Sequence, residues 1–167
     1  MEYVTLRNGV QMPMLGYGVY QVSQEECERC VLEALEVGYR ALDTAQSYFN
    51  EEQVGSAMVK SGVPRKDIFL TTKVWIEHYG YGQAKASVLE SMEKLQTDYL
   101  DLVLLHQPFA DYYGAYRALE DMAAIAVLDQ KRSAFFSHQD PAMVEWFVKM
   151  VEERKHQHDA SREKKSW

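Results

Sequence analysis

The chain has 167 residues, 47% of them hydrophobic, and a formal net charge of −7. That length suits one domain with a real core, and an acidic chain without a basic block is a poor fit to general nucleic-acid binding. No apolar run nears the roughly 18 residues that a membrane span needs, and MEYVTLRNG has neither the basic nor the apolar region of a signal peptide. The cytoplasm is the expected compartment.

Along the chain, Val4 to Leu6 and Val10 to Met12 flank Asn8-Gly9 and read as a β-hairpin. Met14 to Gly18 reads as a short strand running into a loop. Ser23-x-x-Glu26 reads as a capping box. The helix it opens places Cys27, Val31, Ala34 and Leu35 at helical spacing and stops at Gly38. Cys27-x-x-Cys30 lies inside this helix beside Glu25, Glu26 and Glu28, whose charges disfavour a thiolate. The expected role is two small residues on a helix face, not a redox pair.

Tyr39 to Leu42 is the next expected strand. Asn50 caps a helix reaching Ser61, with Gly62 as the stop. Ile68 to Val74 reads as a strand, and Gln83 to Leu95 as a helix with Val88, Leu89, Met92 and Leu95 inward. The run YLDLVLL, Tyr99 to Leu105, is apolar enough for a parallel strand covered on both faces. Strands alternating with helices of about 10–15 residues indicate βαβ units around a parallel sheet.

The alternation ends after His106-Gln107-Pro108. Asp111 to Asp129 reads as one helix with Ala115, Ala118, Leu119, Met122, Ile125 and Ala126 on one face. A loop with Phe135 and Phe136 follows. Asp140-Pro141 then starts another helix, with Met143, Val144, Phe147, Val148 and Val151 as its buried stripe. The charged end contains His156-x-His158, which lacks a third ligand and is not read as a metal site.

Polar residues recur at the expected strand ends: Asp43 and Tyr48 after one strand, Lys73 in the next, His106 after the last. In a parallel α/β sheet those ends share one rim, where active sites sit. Each residue alone has an ordinary explanation as a cap, a solvated cation or a loop anchor. Together they make a coherent set. An ammonium beside a phenol favours the phenolate, a carboxylate holds the ammonium, and an imidazole can orient a carbonyl oxygen.

The segments LGYGVYQV, GYRALDTAQSYFNEEQVG, IFLTTKVW and DYLDLVLLHQP make the chain resemble the aldo-keto reductase family, most of all its bacterial diketogluconate-reductase type. The resemblance covers Met1 to about Glu120 and implies an eight-stranded (β/α) barrel with a hairpin closing its bottom. Only about four barrel strands are expected here, so the fold class is α/β, a partial TIM-type barrel with an N-terminal hairpin and C-terminal helices. Residues 1–120 would form the first half of the barrel. Residues 121–167 resemble the family's C-terminal tail and would pack on the same domain.

The resemblance implies Tyr48 as proton donor, with Lys73 favouring its phenolate, Asp43 paired to Lys73, and His106 orienting the substrate carbonyl. It implies NADPH as hydride donor, with Gly18, Val19, Tyr20 and Asp43 near the nicotinamide, and Tyr20, Trp75 and His106 lining the pocket. The family's Ser-Asn clamp on the nicotinamide has no counterpart, since the asparagines are Asn8 and Asn50 alone. Two function classes stay open. One is a reductase acting on an aldehyde or ketone. The other is an impaired half-barrel or assembly module, whose exposed strand edges would pair two copies as a homodimer.

Overall fold

The computed structural model describes residues 1–130, with side-chain surroundings through residue 124. A two-stranded antiparallel hairpin comes first, β1 (Tyr3–Thr5) and β2 (Gln11–Pro13), with Tyr3 opposite Pro13. Its turn differs from the expected Asn-Gly pair. The Gly9 N–H donates to Leu6 O and the Leu6 N–H to Val10 O, both at 2.8 Å. Arg7 and Asn8 are therefore the central turn residues, and Gly9, at φ 85°, takes the left-handed position of a bulge. Three-residue loops of this kind also need one glycine, so the same dipeptide signals both turns.

A four-stranded parallel sheet follows in simple order: β3 (Tyr17–Gly18), β4 (Ala41–Asp43), β5 (Phe69–Val74) and β6 (Leu102–Leu105). The helices between and after them are α1 (Gln24–Glu36), α2 (Glu51–Ser61), α3 (Tyr81–Lys94) and α4 (Tyr112–Gln130). This is a partial (β/α) barrel with its helices on the outer face. The hairpin lies at the opposite end from the strand C-termini, where Tyr3, Gln11 and Pro13 share a cleft with Arg40, Phe69 and Asp101 at the strand beginnings.

Strand alternation sorts the residues. Leu42, Leu70 and Val74 point outward into two apolar clusters. The first joins Val31 and Leu35 of α1 to Val54 and Met58 of α2. The second joins Val88 of α3 to Ala115, Ala118 and Leu119 of α4. Burying a Val or Leu side chain contributes about 1.5–3 kcal/mol, so these clusters hold the helices on the sheet. Helices α2 and α3 meet closely. A Cβ on Gly55 would lie 2.5 Å from Lys94 O and 2.7 Å from the Leu95 carbonyl carbon, so only glycine lets the two backbones approach.

Four sequence expectations are corrected. Ser23 is the N-cap of α1, but its side chain makes no cap hydrogen bond and is bonded to Glu25, so the capping box does not form. Asn50 is the N-cap of α2 without a side-chain cap bond, because its carboxamide is used elsewhere. Leu89 is 52% exposed, since the inward face of α3 is set by Ala84, Val88 and Leu95. Among the described residues, strand β6 is covered on one face only. Val103 and Leu105 pack on the second cluster, while Leu104, level with Lys73 on the inner face, is 38% exposed.

Helix α4 runs unbroken through Glu120–Met122, as the apolar face required, with Ala115, Ala118 and Leu119 buried. Asp111 stands before it and accepts from the Gly114 N–H at 2.9 Å. Surroundings of Ile125 and Ala126, the loop with Phe135 and Phe136, the helix from Asp140, its stripe and the His156–His158 pair lie outside the described residues. Cys27 and Cys30 are free and lie in α1. Burial, with Cys30 beside it, pushes the Cys27 thiol up to about 11, so no thiolate forms there near neutral pH. No helix among the described residues is long and apolar enough to cross a membrane, and none of their His, Cys, Asp and Glu residues gather in a metal-holding group.

Candidate active site

Asp43 ends β4, Lys73 is the penultimate residue of β5, and His106 directly follows β6. Tyr48 closes a 3-10 turn, Gln46–Tyr48, between β4 and α2. Register explains the convergence. Asp43 is level with Thr71, and Lys73 is level with Leu104, so Asp43 and Lys73 lie on the inner face of neighbouring strands, two residues apart.

The structure brings all four together. Lys73 Nζ donates to Asp43 Oδ1 at 2.5 Å, to Thr44 O at 3.1 Å and to the Tyr48 hydroxyl oxygen at 3.2 Å. These are the three donors an ammonium has. Lys73 is 13% exposed at its side chain and Asp43 44%, so this pair is partly screened on the carboxylate side. The Tyr48 and His106 rings meet edge-on at 5.6 Å, and Trp75 meets His106 in the same way at 5.3 Å. The Tyr20 ring lies 5.0 Å from that of Tyr48.

Tyr20, Tyr48, Phe49, Trp75 and His106, with Ser47 and Gln107, line a cleft of about 450 Å³. Burial, and then the Lys73 ammonium, hold the His106 imidazolium below the ordinary value of 6.5. His106 is therefore neutral at pH 7 and can act as a hydrogen-bond donor or acceptor without bringing a charge. The cleft is mostly aromatic with a few convergent polar atoms, the composition of a small-molecule site.

Sequence reasoning missed the supports behind these residues. Asn50, fully buried, donates to Val19 O at 3.0 Å and Val22 O at 3.2 Å and accepts from Thr44 Oγ1 at 2.9 Å. It thereby fixes the loop carrying Tyr20, in which Gln21 takes a positive φ of 62°, to the loop whose carbonyl holds Lys73. Gln46 Oε1 accepts from the Trp75 N–H at 2.8 Å, and Gln46 Nε2 donates to Ser91 Oγ at 3.1 Å. Buried Glu51 accepts from Thr72 Oγ1 at 2.6 Å and Ser91 Oγ at 3.3 Å. A polar residue just past a strand was the available signal, but it reads equally well as a cap.

Of the four residues expected beside a nicotinamide, Asp43 is paired with Lys73, Gly18 and Tyr20 are exposed, and a Cβ on Gly18 would meet nothing within 4 Å, leaving room for a planar ring. Val19 turns its side chain into the core; its N–H and C=O are engaged by Asp43 and Asn50. The cleft contains neither Lys nor Arg among its described lining residues to neutralise a pyrophosphate. The described residues fit the ring end of NADPH.

The model of the aldo/keto reductase family matches residues 12–135, and the chain belongs to that family. Glyoxal reductase of Bacillus subtilis (strain 168) is 47% identical over 123 residues, which are 72% of this chain and 45% of that protein. The crystal structure of a putative 2,5-diketo-D-gluconic acid reductase B is 44% identical with a TM-score of 0.71, over 75% of this chain and 46% of that one. Bombyx mori aldo-keto reductase, solved in complex with NADP, is 31% identical with a TM-score of 0.71, over 75% of this chain and 47% of that one. The chain spans about half the length of the curated relatives it matches.

Proposed function

We propose that this chain carries the proton-transfer half of a carbonyl-reducing site of NADPH-dependent type, with a small aldehyde or ketone as substrate and Tyr48 as proton donor. The observation that carries the reading is the position of Lys73 Nζ, 3.2 Å from the Tyr48 oxygen and 2.5 Å from Asp43. When the phenol gives up its proton, the ammonium is already in place to stabilise the oxyanion. Asp43 and Thr44 O keep that ammonium aimed. His106 and Tyr48 flank the place where a carbonyl oxygen would sit, and Tyr20 and Trp75 supply apolar walls. The family and its reductase relatives support the reaction class.

Turnover by this chain alone is expected to be weak. Hydride donor and acceptor must be held about 3–3.5 Å apart, a constraint able to supply several kcal/mol of a barrier, and this reading gives the described residues the nicotinamide end of the dinucleotide only. Residues 1–120 would be the half-barrel and 121–167 a tail segment on the same domain. In a steady-state assay with NADPH and 4-nitrobenzaldehyde, wild type should run slightly above background and Tyr48→Phe at background. Robust wild-type turnover that disappears in Tyr48→Phe would refute the limit on turnover, and turnover surviving in Tyr48→Phe would refute Tyr48 as the donor.

A second reading is favoured by the partial cover of β6 and by β3, which is two residues long at the other edge of the sheet. Two copies related by a two-fold axis would pair β6 of each with β3 of the other and close an eight-stranded barrel. Solution mass measured with and without NADPH on one sample tests it. A monomer throughout rejects it.

A further inference from the structure

Ser47 stands between Gln46 and Tyr48, and its Oγ lies 3.2 Å from His106 Nδ1. A neutral imidazole has one donor and one acceptor nitrogen, and the bond made by one nitrogen decides what the other can do. Ser47 can donate to a bare Nδ1 or accept from a protonated one. The surroundings choose between these. Lys73 spends its three donors on Asp43, Thr44 and Tyr48, leaving none for His106. A carbonyl oxygen has lone pairs alone. If Tyr48 and His106 are to hold one together, both must donate, so Nε2 must carry the ring proton. Nδ1 then presents a lone pair in a half-buried place, where an unmade bond is costly. The Ser47 hydroxyl is the donor at hand. The opposite tautomer would aim a lone pair of Nε2 at the carbonyl oxygen.

We propose that Ser47 is a positioning residue: its hydroxyl donates to His106 Nδ1 and holds His106 in the Nε2–H tautomer, ready to donate to a substrate carbonyl. Its purpose rests on the carbonyl-reducing reading, while its test does not. The protein also contains an internal reference. Gln46 Oε1 accepts from the Trp75 backbone N–H at 2.8 Å, which fixes that atom as oxygen. His78 Nδ1 lies 3.0 Å from the same oxygen and must be a donor. His78 therefore holds the Nδ1–H tautomer, the reverse of His106, one loop away.

The experiment is a long-range proton–nitrogen correlation spectrum of the full chain, labelled with 15N at histidine, at mildly alkaline pH. His106→Gln and His78→Gln assign the two resonance pairs. The expected spectrum has a pyrrole-type Nε2 and a pyridine-type Nδ1 for His106, and the reverse for His78. In Ser47→Ala the tautomer preference should weaken, so the His106 Nδ1 and Nε2 resonances should move toward each other. Ser47→Thr, which keeps a hydroxyl, should restore the wild-type pattern. A pyrrole-type Nδ1 of His106 in wild type, or a Ser47→Ala spectrum identical to wild type, would overturn the proposal. The expected spectra from a wild type without turnover would count against turnover by this chain and leave the Ser47 assignment standing. Where turnover is measurable, Ser47→Ala should cost roughly tenfold in kcat/KM, the scale of one hydrogen bond.

Discussion

Asn50 shows how much of this site depends on one side chain that touches none of the reacting groups. Its three hydrogen bonds join Val19, Val22 and Thr44, and it is fully buried. Removing it leaves the Val22 carbonyl and the Thr44 hydroxyl without these partners, and Val19 O with the Val22 N–H alone. Each unsatisfied group costs about 1–3 kcal/mol, with some relief from water entering the space. Asn50→Ala should therefore lose about 2–3 kcal/mol in urea unfolding, and the loop bearing Tyr20 should become more susceptible to proteolysis. A loss under about 0.5 kcal/mol would mean that the buried bonds are not sustained in solution. In the sequence Asn50 looks like a helix cap, and it does occupy the cap position. Its carboxamide is diverted because the two loops it joins are brought together by strand pairing, which no local pattern records.

At the scale of elements, α2 begins on a buried acid. Glu51 lies in the first turn, where a carboxylate suits the helix dipole. It nevertheless faces Thr72 of β5 and Ser91 of α3. Burial raises its pKa above the ordinary 4.5, against the lowering effect of those two hydroxyls and of Lys94. A raised folded value means that the native state favours the protonated form. The associated stability is complete below the unfolded value near 4.5 and is lost as pH rises through the folded value. Glu51→Gln removes that titration while keeping an acceptor for Thr72. Urea unfolding across a pH series should show the variant gaining on wild type from about pH 4.5 upward. A gap that is flat with pH, or that moves the other way, would show that the carboxyl is not desolvated. Helix existence was readable from apolar spacing in α1, α3 and α4, and from the Asn50 start and Gly62 stop in α2. Which face of α3 turned inward was not, because Leu89 satisfies the period and only the placement of α2 and α4 excludes it.

At the scale of the whole molecule, the four-stranded sheet of the described residues, with β3 and β6 at its edges, is the main physical fact. Strand β6 offers an edge with Leu104 partly exposed, and exposed strand edges invite pairing. A charge on such an edge opposes pairing without removing a core contact. Leu104→Lys should therefore lower the average mass seen by light scattering at high protein concentration, with little change in the unfolding midpoint. If wild type self-associates and the variant does so equally, β6 is not the edge used.

The sequence by itself determined the βαβ alternation, the hairpin, the continuous α4 and the family. It also placed Asp43, Tyr48, Lys73 and His106 at strand ends. Those features are local: apolar period, turn residues and positions counted from a strand end. Only the tertiary structure decided that Lys73 reaches Tyr48, that Ser47 meets His106, that Asn50 ties two loops together and that β6 is covered on one face. Each of these depends on strand register and on which residues come to lie across from one another, and sequence spacing along one segment contains no information about the distance to another.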